Sequence, residues 1–160
     1  MELTNFTLDL YENWFEALEG DLVNNVYHID ASNEQVEQEL KSVYQNGKLI
    51  MLFTPEILSD SNFPENRADL YKCLLFVVER YNKKDNDTFA TRKRIRNECL
   101  EICFQIRNKI EDIATNNNLP CHFFKLFNFG SVKFRKVGPF MDNMYGWSME
   151  FDLIIPYQNF

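Results

Sequence analysis

The sequence predicts one α+β domain: a mostly antiparallel sheet of four to five strands, one long helix packed across it, and a helical segment at the N-terminus. Three observations predict it. Within residues 87–115 the apolar residues Ile95, Cys99, Ile102, Cys103, Ile106, Ile110 and Ile113 recur at the spacing of one helix face. Apolar runs of strand length stand on both sides of that stretch. A shorter helix-period pattern opens the chain, with Leu8, Tyr11, Phe15 and Leu18 on one side and mostly acidic residues on the other.

Taken in order, residues 5–19 read as a helix, with Leu10, Trp14 and Ala17 widening its apolar face. Gly20 suits a left-handed stop. The alternative is a helix that runs on to Tyr27; with a stop, residues 22–29 form a strand. Ser32, Asn33, Glu34 and Gln35 match a capping box that starts a short helix to about Tyr44, with Val36, Leu40, Val43 and Tyr44 inward. Asn46-Gly47 signals a turn, and residues 48–54 read as a buried strand. Residues 55–69, with Pro55 and Pro64, read as a long loop with Ile57, Leu58 and Phe63 embedded. Residues 70–81 are nearly continuously apolar at 73–78, the mark of a central strand covered on both faces. The long helix follows, from an Asp87 cap to the Asn116-Asn117-Asn118 run, about 42 Å at 1.5 Å per residue. Residues 121–137 read as a strand with a bulge at Gly130, and Gly138-Pro139 starts a turn. Trp147, Met149, Phe151 and Leu153 alternate with Ser148, Glu150 and Asp152, so residues 145–155 close a hairpin.

Composition narrows the function classes. A chain of 160 residues buries roughly 70% of its unfolded surface and folds without a metal or disulfide. Its four Cys follow no disulfide framework, which suits a reducing compartment. No basic leader with a long apolar run opens the chain, and no apolar stretch reaches the ~18 residues of a membrane span. The net charge of −7 hides an asymmetry. Residues 1–40 hold ten Asp or Glu and no Lys or Arg, whereas the rest hold 14 acidic and 17 basic residues.

Four constellations carry candidate function. Arg92, Lys93, Arg94 and Arg96 cluster in the first turns of the long helix, where cations oppose the dipole, so an anionic partner is expected there. That partner is an acidic patch on another subunit or nucleic acid phosphate; a solvated helix face is the plain alternative. The acidic helix offers Glu12, Glu16 and Glu19 as the opposite patch. The apolar loops contribute Ile57, Leu58, Phe63, Phe140, Met141 and Met144, either as a contact surface or folded back as a satellite core. Cys121-His122 is a weak nucleophile candidate, because neighbours on a strand point to opposite faces. The aromatic run of Phe123, Phe124, Phe127, Phe129 and Phe134 reads as core rather than a base-stacking platform. Zinc spacing and a glycine-rich phosphate loop are both missing, so no cofactor, metal or catalytic residue is expected.

The order of leading helix, strand, long loop, strand, long helix and closing hairpin, ending in Tyr145-Gly146-Trp147-Ser148-Met149-Glu150-Phe151-Asp152-Leu153, resembles the tail-terminator and neck-ring proteins of tailed bacteriophages over residues 5–155. The helix at 33–45 and the acidic first forty residues depart from that pattern. The resemblance implies a structural, non-enzymatic virion protein. Copies would form a ring of six or twelve between portal and tail, touching adjacent neck, tail or portal proteins, with DNA only as passing cargo. Assembly would take place in a bacterial cytoplasm, with no membrane involved. A small nucleic-acid-binding or regulatory module using Arg92–Arg96 is the alternative.

Overall fold

The computed structural model describes residues 6–30, 33–42, 47–60, 68–81, 89–116, 122–140 and 143–156. Along the chain these form α1 (Leu8–Glu16), β1 (Asn25–Ile29), α2 (Asn33–Ser42), β2 (Lys48–Phe53), β3 (Glu56–Asp60), β4 (Ala68–Arg80), α3 (Phe89–Thr115), β5 (Lys133–Phe140) and β6 (Met144–Pro156). The class is α+β, and the sheet has six strands rather than four to five. Its order is β1-β2-β4-β6-β5, with β3 also on β4. All pairs are antiparallel except β1 with β2. The α2 crossover between β1 and β2 is what makes a parallel pair feasible.

β2 and β3 lie end to end along one side of β4. Leu52 stands opposite Leu75 and Glu56 opposite Lys72, four steps against three. One extra residue therefore sits at Thr54-Pro55, a bulge. This corrects the expected loop at 55–69: proline interrupts the ladder without ending the strand direction. Residues 61–67 fall outside the described part.

The sheet has two differently covered faces. Val26, Ile50, Leu52, Tyr71, Cys73, Leu75, Val77, Met149, Phe151, Leu153 and Ile155 point to the larger core, which α1 and α3 share. From α3 come Ile95, Cys99, Ile102, Cys103, Ile106 and Ile110, six of the seven apolar residues that set the helix period. α3 touches β6, β4 and the 3-10 turn Phe123–Leu126. α1 starts at Thr7, whose Oγ1 accepts from Leu10 N at 3.2 Å, and buries Tyr11 and Phe15. Gly20 adopts a φ of +81°, and β1 begins at Asn25, consistent with a helix that stops. Among the described residues no helix is long and apolar enough to cross a membrane.

The opposite face is half covered. α2 lays Val36 and Leu40 over Tyr27, Leu49, Met51 and Val78. The Tyr27 hydroxyl donates to Glu39 Oε2 at 2.5 Å, and Arg80 Nη2 donates to the Leu40 carbonyl at 2.8 Å. Beyond α2 the face is open: Lys72 is exposed and Leu74 half-buried. β4 is thus central but covered on both faces only toward its C-terminal half.

The expected strand over 121–137 is corrected to two 3-10 turns, Phe123–Leu126 and Phe129–Ser131, before β5. Side chains take over the ladder's hydrogen bonds there. His122 Nδ1 accepts from Phe124 N (3.2 Å), and Asn128 Oδ1 accepts from Gly130 N (3.2 Å). Ser131 Oγ accepts from Asp152 N (2.9 Å), which fastens the segment to β6. Phe123 and Phe124 fill the space between Phe6, Tyr11 and Trp14, with the Trp14 and Phe124 ring centroids 4.7 Å apart. Gly138-Pro139 does not begin the turn. β5 runs through it to Phe140 with a register shift after Val137, using the positive φ of Gly138 (+99°).

Candidate functional site

The basic cluster is partly consumed inside the molecule. Arg94 bonds Glu79 at 3.0 Å and Glu98 at 2.9 Å, and Lys48 bonds the same carboxylates at 3.2 and 2.6 Å. The four side chains form a closed alternating ring that joins β2, β4 and α3. For Lys48, burial disfavours the charge, but hydrogen bonds to Glu98 and Glu79 outweigh it and raise the pKa. The hydrogen bond from Lys48 leads in holding the Glu98 carboxyl below its usual range, against burial. Arg96 Nε reaches the Arg92 carbonyl at 3.4 Å, and Lys93 is exposed.

The acidic patch is likewise partly committed. Glu16 Oε1 lies 2.8 Å from His28 Nε2. Glu19 Oε1 accepts from Val26 N at 2.7 Å, so this carboxylate caps the start of β1. Asp21 pairs with Lys109 at 3.3 Å. Glu12 is half-buried on α1. Of the expected acidic and basic pair, Glu16, Glu19 and Arg94 therefore already have internal partners.

The apolar candidates separate. Met144 is 1% exposed and belongs to the smaller core, which corrects its expected place on a contact loop. Phe140 packs beside it, 5.8 Å from Phe76. Met144 turns inward because its register opposite Arg80 puts it on the same face as Val78, and the bulge after Val137 brings Phe140 to that face. Phe63 and Met141 fall outside the described residues. Ile57 and Leu58 lie in β3 and are 54% and 40% exposed. Register sets Leu58 beside Leu70, and Leu70 beside Ile154, which is 41% exposed. These three form an apolar row across the open end of the sheet.

Next to that row lies a trough of about 580 Å³. Glu56, Lys72 and Asp152 cross it in one row, and Leu74, Glu150 and Lys133 in the next. Asn128 and Ser131 form part of its wall. No spacing in the sequence groups these residues; strand register alone brings them together.

The titratable core groups are inert. Burial pushes the Cys73, Cys99 and Cys103 thiols up to about 12. Tyr11, fully buried against Cys73, is raised well above the ordinary phenol value, chiefly by burial. His122 is occupied as a turn cap, and burial lowers its pKa. Cys121 lies outside the described residues. No group of three or more His, Cys, Asp or Glu among the described residues is placed to hold a metal ion. No family model, curated protein or solved structure matches the chain.

Proposed function

We propose that the chain is a structural subunit that assembles with copies of itself. In its most specific form it is a ring-forming neck or tail protein of a tailed bacteriophage. The observation that carries the assembly reading is the exposed apolar row Leu58, Leu70 and Ile154, at the end of the sheet that α2 leaves open. Large apolar side chains grouped on an open sheet face suit burial against another protein. The phage assignment rests on the resemblance in element order and on the overall charge of −7, which would keep passing DNA from adhering to a channel wall. Electron microscopy of the purified protein in negative stain tests it. Annular particles of uniform diameter are expected, and a field of single-chain particles would count against it.

A further inference from the structure

Three strands have a single partner among the described residues: β1 and β3 on one side of the sheet, and β5 on the other. Among the described residues β3 pairs only with β4, and β5 only with β6. Three successive antiparallel steps separate β3 from β5, through β4 and β6. The two edge strands therefore run in opposite directions. A second copy laid beside the first in the same orientation, and shifted along the strands, would bring β3 against β5 as an antiparallel pair; unshifted, β5 would meet β1, because Val137 is level with Val78, Leu49 and Asn25.

The edges also carry opposite charge. β5 (KFRKVGPF) exposes Lys133, Arg135 and Lys136 and has no acid. β3 (EILSD) has Glu56 and Asp60 and no base. Each edge alone repels its own kind, which disfavours self-pairing of like edges. Face parity agrees. Lys133 stands opposite Glu150, which stands opposite Leu74, while Glu56 stands opposite Lys72, so Glu56 and Lys133 share one face. Continuing the sheet keeps carboxylate and cation on that face, and it covers Leu58 with the neighbour's β5.

We infer that copies of this chain join edge to edge, β3 of one against β5 of the next, in one continuous sheet. This rests on the self-assembly reading above and names its interface. β1 flanks β2 but not β3, so the β3 edge is a notch one strand deep beneath β1. A neighbour's β5 fits that notch only when the copies are staggered along the strands. Such a contact is head-to-tail, so it repeats from copy to copy, and the ring reading requires that the sheet twist bring the last copy back to the first.

Two charge-reversed proteins test it: Glu56→Lys with Asp60→Lys, and Lys133→Glu with Arg135→Glu. Light scattering on each alone should give the 19.1 kDa single chain. An equimolar mixture should regain the wild-type mass, because each reversed edge now meets a complementary one. Circular dichroism confirms that each variant folds. If both variants keep the wild-type mass, the edge contact is wrong while self-assembly stands. If the wild type is itself a single chain, both readings fail.

Discussion

Arg94 Nη2 lies 3.0 Å from Glu79 Oε2, so one cation of the exposed-looking basic cluster on α3 is spent on holding the helix to β4. The same Glu79 receives Lys48 from β2, and Glu98 closes the ring. A shared network of this kind loses more from one truncation than an isolated surface pair does. Arg94→Ala is expected to cost about 1 kcal/mol in urea unfolding, and Lys93→Ala less than about 0.5 kcal/mol. Equal effects would show that the ring adds nothing.

At Gly146 the β6 backbone lies close against β4. A Cβ there would meet the Val77 carbonyl oxygen and come within 2.8 Å of Val78 Cα. Backbone cannot yield as a side chain can, so Gly146→Ala should destabilise by about 2–3 kcal/mol or more. At Gly130 the nearest atom stands 3.8 Å away, and Gly130→Ala should stay within about 0.5 kcal/mol. Thermal midpoints of the two variants measure the contrast.

Stability should fall in two steps as pH drops. The folded His122 pKa lies below its unfolded value of about 6.5. The unfolded chain therefore takes up the proton first, and stability is lost from about pH 6.5 down through the folded pKa. Glu98 is also lowered in the fold, so its contribution is present above about pH 4.3 and is lost as pH falls through the folded value. Urea midpoints across pH 3–8 follow both steps. His122→Asn, which keeps an acceptor for Phe124 N, should abolish the upper step alone.

Thiols pushed up to about 12 are thiolate in roughly one molecule in ten thousand at pH 8. Cys73, Cys99 and Cys103 are also buried. Alkylation followed by peptide mapping should leave all three unmodified in the native protein and modify them in denaturant. Rapid native labelling of any of them would contradict the core packing.

Much of the fold was legible where one period dominates. The α3 face and the β6 alternation are read directly from spacing, because each element buries one side against one core. Reading failed where side chains substitute for the backbone ladder. Nothing in the sequence says that Asn128 and Ser131 fasten a 3-10 turn to β6, or that Pro55 bends a strand without ending it. The parallel β1 and β2 pair was hidden because α2 between them reads as an ordinary short helix. The surface was legible in part: Ile57 and Leu58 stand out as apolar residues in a polar stretch. Met144 looks the same in sequence, yet its register on β4 turns it into the smaller core. The row of Glu56, Lys72 and Asp152 exists only once three distant segments are in register.

Self-assembly is the central claim, and the solution mass tests it most directly. Light scattering at near-physiological salt should give a discrete multiple of 19.1 kDa, and a lower mass at high salt, where complementary charges at the interface are screened. A mass of 19.1 kDa under both conditions would contradict it.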